Sequence, residues 1–154
     1  NELLADVDVI AGVATGGIPQ GVLVAQDLGK PFVYVRPSEK AHGLQNKIEG
    51  DIKEGQTVVV IEDLVSTGKS SLQAVEALRA NGCQVKGMAA IFTYNLDVAK
   101  QAFEQAGVSL STITDYHTLI DLAAEENFIR AEDLDSLSEW RKNPEEWSEK
   151  RMNG

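Results

Sequence analysis

Cysteine, proline, aromatic residues and positive charge are what this 154-residue chain has least of. Cys83 is the single cysteine, which excludes an intrachain disulfide and fits a reducing, cytoplasmic home. No apolar run approaches the roughly 20 residues that span a bilayer, so no membrane partner is expected. Lys and Arg number 14 against 24 Asp and Glu, a formal net charge of −10. An acidic surface gains nothing from non-specific attraction to nucleic acid, which is likewise not expected as a partner. No His, Cys or Asp cluster has the spacing of a structural metal site, so no metal ligands are assigned.

What is present is a 43% hydrophobic share, enough for one domain with a proper core. Apolar runs at 7–11, 32–35, 58–61, 85–92 and 108–114 read as strands. Between them lie helical patterns: one through Val22, Leu23 and Leu28 closed by Gly29, then 69–80, 97–106 and 116–126. In the second helix Leu72, Val75 and Leu78 recur on one face, and Asn81-Gly82 ends it. Strands alternating with amphipathic helices predict an α/β fold, a mostly parallel central sheet flanked by helices. The chain reads as one core, 1–154, with a polar helical tail over 127–154. NELLADVDVIAGV enters a buried strand within about six residues, so an N-terminal segment ahead of it is expected to be missing.

In parallel sheets ligands sit beyond the carboxyl ends of the strands, which points to loops 12–19, 36–50 and 62–71. The third, in VVVIEDLVSTGKSS, ends like a nucleoside-triphosphate loop. That motif requires a glycine five residues before its second one, and here the position holds Asp63. A carboxylate against a triphosphate is the wrong charge, so that reading fails. What remains is a strand delivering Glu62 and Asp63, two apolar residues (Leu64 and Val65), then Ser66, Thr67 and Gly68 opening a helix at Lys69 and Ser70. Free N–H groups at a helix start bind a phosphate monoester, and a neighbouring diacid suits ribose hydroxyls. The loop predicts a sugar phosphate, though a strand end whose acids merely cap a helix gives a similar pattern.

The same stretch resembles the phosphoribosyl-pyrophosphate (PRPP) motif of the type I phosphoribosyltransferases. Loop 36–50, RPSEKAHGLQNKIEG, packs Arg36, Lys40, His42 and Lys47 into a segment with few apolar anchors. Its order of Arg, Lys four residues on, then His-Gly is similar to the mobile catalytic loop of orotate phosphoribosyltransferases. The first loop, AGVATGGIPQG, is similar to the family's pyrophosphate loop, with amides at Ala14, Thr15 and Gly16 facing pyrophosphate.

The resemblance implies a Rossmann-like phosphoribosyltransferase fold and transfer of the phosphoribosyl group of PRPP to orotate. It implies a Mg²⁺ requirement, the ion being held largely by substrate, and a homodimer whose loop 36–50 acts in the neighbouring site. By matching position, Lys40, Arg36, His42 and Asp63 are catalytic. Residues 62–70 bind PRPP, and Ser66 also contacts orotate. A basic residue that some relatives carry after the arginine is Pro37 here. Thr93 and Tyr94 end a strand where some relatives place an arginine against the orotate carboxylate, and Tyr94 is read as pocket wall. His117 reads as a helix-terminal residue and Cys83 as inert. Trp140 and Trp147, seven apart, read as packing on one helix, and the acidic stretch 125–149 as a solvated face. A non-catalytic PRPP sensor and a purine-base transferase are the alternatives.

Overall fold

The computed structural model describes residues 2–36 and 47–152. Its elements follow the order β1 (Val9–Val13), α1 (Gly17–Leu28), β2 (Phe32–Val35), β3 (Ile48–Glu49), β4 (Thr57–Val65) and α2 (Lys69–Ala80). Then come β5 (Gln84–Thr93), α3 (Asp97–Gln105), β6 (Leu110–Asp115), α4 (Tyr116–Glu125), α5 (Leu134–Lys142) and α6 (Pro144–Met152). The strands form a single six-stranded sheet ordered β3-β2-β1-β4-β5-β6. Every pairing is parallel except β2 with β3. The expected α/β architecture is therefore present.

Strand alternation sorts the core into two layers. Val9, Ala11, Val13, Val58 and Val60 face α2 and α3, packing on Ala74, Val75, Leu78, Ala99 and Phe103. Ile10, Val59 and Ile61 face the other way, toward Ala25 of α1. β1, in mid-sheet, is buried at every position. A strand covered on both faces loses the polar alternation of an edge strand and becomes a continuous apolar run.

Several strand boundaries differ from the sequence reading; β6, for one, begins at Leu110 rather than at 108. β1 begins two residues later than expected, because Asp8 joins Thr57 through both main chain and side chain before pairing begins. β3 lies inside the polar segment 36–50; two residues are too few to show a period, and Tyr34 and Val35 define them by pairing with Glu49 and Ile48. β4 runs past Ile61 to Val65. Both carboxylates lie within the strand, with Glu62 opposite Ala90 and Val65 opposite Thr93, because strand pairing uses main-chain groups whatever the side chain.

The tail also differs. Trp140 and Trp147 lie on separate helices, since α5 stops at Lys142 and α6 starts at Pro144. Proline disfavours helical geometry in the residue before it, and Asn143 sits there with extended backbone, φ −152° and ψ 88°.

Candidate functional site at the switch point of the sheet

The order of strand connections reverses between β1 and β4. From β1 the chain crosses through α1 to β2 on one side; from β4 it crosses through α2 to β5 on the other. Helices on opposite faces leave a crevice at the carboxyl ends of the two central strands, where ligands of open α/β sheets bind. The turns that open into it are 14–16 after β1 and 66–68 after β4. Two of the three loops singled out in the sequence thus meet at one point of the topology.

The turn after β4 is built from main chain. β4 ends at Val65, whose carbonyl accepts from the Tyr94 amide at 3.1 Å and from Thr93 Oγ1 at 3.3 Å. Gly68 precedes α2 in the left-handed region, φ 80°, where a side chain is strained. A Cβ there would also stand 2.8 Å from the ring of Phe103. From residue 66 to residue 71 no main-chain amide makes a hydrogen bond among the described residues; the ladder of α2 begins with Leu72 N donating to Gly68 O. These amides carry the positive end of the helix dipole. Leu64, Ser66, Thr67, Lys69 and Ser70 are exposed around them, and Val65 is buried. Such a turn can grip a phosphate monoester.

The two acids divide. Strand alternation turns them to opposite faces of the sheet. Glu62 points toward α2, is 4% exposed, and accepts a hydrogen bond from the buried Ser71 Oγ at 3.1 Å. Its other oxygen accepts from the Asp63 amide at 3.1 Å. Burial, with Asp63 alongside, pushes its pKa up to about 7, because a desolvated carboxyl resists ionisation. Asp63 turns toward α1, remains half-exposed, and accepts from the Leu64 amide at 2.8 Å through Oδ1. Asp63 is the acid the crevice sees.

The turn after β1 touches that same acid. Gly16 lies so close that an added Cβ would fall inside the Asp63 carboxylate. Glycine there lets the loop close over the acid. Of the amides expected to face pyrophosphate, Ala14 N is already engaged, donating to Val35 O at 2.9 Å. Strand β2 takes it as a continuation of its pairing with β1. The amides of Thr15 and Gly16 make no hydrogen bond among the described residues. The Ala14–Thr15 peptide is cis.

Arg36 follows β2 at the same edge and forms an ion pair with Glu49, Nε to Oε1 3.2 Å; its amide donates to Lys47 O at 2.8 Å. Lys40 and His42 lie outside the described residues. Among the described residues no group of three His, Cys, Asp or Glu could hold a metal ion. Cys83 is buried and its thiol pKa is raised by that burial. Asp115 caps α4 through the Thr118 amide at 3.0 Å, just ahead of His117. No helix of the described residues is long and apolar enough to cross a membrane.

One contribution to the site was not legible beforehand. A cavity of about 540 Å³ adjoins Ser66 and Thr67, and its far wall is the tail, including Trp140 and Lys142. Trp140 stacks against Tyr94 and Tyr116, with ring centroids 5.5 and 5.2 Å apart. Packing was the expected role of Trp140; its position beside the turn after β4 was not. The i+7 spacing of the tryptophans carried no information about which surface receives them.

Comparison with known proteins agrees with this geometry. A family model described as "Phosphoribosyl transferase domain" matches residues 2–124. The orotate phosphoribosyltransferase of Bacteroides fragilis is 56% identical over 146 residues, 95% of this chain and 69% of that protein. The crystal structure of orotate phosphoribosyltransferase from Aeropyrum pernix superposes with a TM-score of 0.74 at 34% identity, covering 80% of this chain and 69% of that one. That of Mycobacterium tuberculosis in complex with PRPP gives 0.62 at 29%, covering 74% and 66%. The chain belongs to the phosphoribosyltransferase family, on its orotate phosphoribosyltransferase branch.

Proposed function

We propose that this protein transfers the 5-phosphoribosyl group of PRPP to N1 of orotate, giving orotidine 5′-monophosphate and pyrophosphate in pyrimidine nucleotide synthesis. The observation that carries the reading is the run of amides at residues 66–71 with no hydrogen-bond partner among the described residues, beside the half-buried Asp63. An acid and an anion cradle at one strand end suit a phosphorylated pentose, with its phosphate on the amides and its hydroxyls at the acid. Thr15 and Gly16 supply the second set of amides, one strand away, for pyrophosphate.

In this reading the amides and hydroxyls of residues 66–70 fix the 5′-phosphate, and Asp63 orients the ribose through its hydroxyls. Its negative charge also favours the oxocarbenium-like sugar that forms as the bond to pyrophosphate breaks. Glu62 supports the turn from behind through Ser71. Arg36, Lys40 and His42 stand for the leaving group, whose charge grows as it departs. Arg36 is held in the meantime by Glu49. A forked guanidinium and a point ammonium suit pyrophosphate oxygens.

Magnesium belongs to the proposal as a companion of PRPP, since Mg²⁺ is commonly held through substrate phosphates and one or two carboxylates. Asp63, the more accessible of the two acids, would help hold the ion, which would neutralise pyrophosphate charge. A homodimer sharing loop 36–50 between sites, and a cytoplasmic location, complete the proposal.

The test is direct. Purified protein with PRPP, Mg²⁺ and orotate should release one pyrophosphate per orotate consumed, and adenine or guanine should not replace orotate. PRPP binding without turnover of any base would favour the sensor instead. Turnover of a purine alone would move the protein to another branch.

A further inference from the structure

The cleft between the phosphate turn and the tail holds a charge whose position local structure leaves unexplained. Its walls are Ser66 and Thr67 on one side, Tyr94 at its base, and Trp140 with Lys142 on the other. Its volume, about 540 Å³, lies in the range of small-molecule sites. Two carboxylates line it as well, Asp97 and Glu145. Both occupy the first turn of a helix, α3 and α6 respectively, where the dipole favours them. Among the described residues that line it, Lys142 is the one cation. The dipole accounts for a cation in the last turn of α5, but not for its facing a cleft that opens on the phosphate turn.

The tail holds Lys142 there by fixed contacts. Arg141, its neighbour, donates from Nη1 to Asn95 O at 2.8 Å, just past β5. Tyr116 Oη donates to Leu137 O at 3.2 Å. The Trp140 ring packs against Tyr94. Arg141 thus anchors α5 to the sheet end, while Lys142 makes no ion pair among the described residues.

We propose that Lys142 binds the carboxylate of the orotate ring, so that the C-terminal tail reads the base while the phosphate turn holds the sugar. This rests on the functional reading above. A planar anion entering beside Ser66 meets an aromatic wall for its ring and a single ammonium for its carboxylate. Without that ammonium, the charged groups among the described lining residues would be Asp97 and Glu145, which repel an anion.

The experiment compares wild type with Lys142→Ala, Lys142→Arg and Glu145→Gln in steady-state kinetics. Orotate is varied against fixed PRPP and the reverse, with uracil, which lacks the carboxylate, as a competitive inhibitor. Lys142→Ala should raise KM for orotate about tenfold while leaving KM for PRPP and inhibition by uracil unchanged. Lys142→Arg should stay within threefold of wild type, and Glu145→Gln should lower KM for orotate. A rise of less than threefold for Lys142→Ala overturns the assignment, as does equal weakening of orotate and uracil, which would mark a merely structural role. Failure of the wild type itself to consume orotate would defeat the functional reading instead, and the two failures are separate observations.

Discussion

The crevice and the tail offer a ligand different kinds of group. At the switch point, the groups available to a ligand include main-chain amides at 15–16 and 66–71 that make no hydrogen bond among the described residues, with glycines where a Cβ would strike Asp63 or Phe103. In the tail they are side chains: Trp140 against Tyr94, Arg141 on Asn95, Lys142 in the cleft. A main-chain cradle is fixed by the fold and suits the phosphate that any member of such a family must hold. A side-chain wall can change one residue at a time, which suits the part of the substrate that differs. In the proposed reading the crevice carries affinity for PRPP and the tail the choice of base.

Four perturbations sharpen or break that division. Asp63→Asn should have the largest effect. It removes the acid the crevice sees, and kcat/KM should fall at least a hundredfold, about 2.7 kcal/mol of transition-state stabilisation. Steady-state kinetics with the fold checked by circular dichroism would show it, and a loss under tenfold would remove Asp63 from the reaction. Trp140→Ala should come next, lowering stability by about 2 kcal/mol in urea titration. It should raise KM for orotate while PRPP binding, read by calorimetry, stays within threefold. Matching losses of both ligands would erase the distinction between the two regions.

Lys40→Ala should lower kcat more than tenfold, about 1.4 kcal/mol, with little change in orotate affinity; a smaller loss would leave pyrophosphate departure to main chain and Arg36. The smallest effect belongs to Glu62. Its folded pKa is raised to about 7, so between its unfolded value and 7 the folded state holds a proton that the unfolded chain has released. Its contribution is full at low pH and is lost as pH rises through 7. Stability should thus fall by about 1 kcal/mol between pH 6 and pH 7 from this group. Glu62→Gln should flatten that part of the pH profile, measured by denaturant midpoints. An unchanged slope would mean that Glu62 is ionised throughout.

The same contrast explains what could be read in advance. The sheet was legible because β1, β4 and β5 are long apolar runs set between helices with a clear face, and helix 69–80 matches α2 at both ends. The diacid and the small-residue turn were legible because main-chain chemistry leaves its trace in glycine, serine and threonine at fixed spacing. That Glu62 and Asp63 part to opposite faces was implicit in strand alternation, but only once the strand is known to run on to Val65. β3 was hidden, since two residues paired with β2 have no period of their own. The commitment of the Ala14 amide to Val35 needed the register of β1 on β2. The tail was the least legible. Its polar, acidic sequence looks like a solvated face, and only the fold brings Trp140 to Tyr94 and Tyr116 across 24 or more residues of chain.

The central claim is that main chain after β4 seats the sugar phosphate. Amide chemical shifts of the ¹⁵N-labelled protein, followed during titration with ribose 5-phosphate, test it most directly. The account predicts that the amides of residues 66–71 move first and furthest, and that they move less in Asp63→Asn at the same concentration. Shifts confined to other parts of the sheet, with residues 66–71 unmoved at saturation, would contradict it.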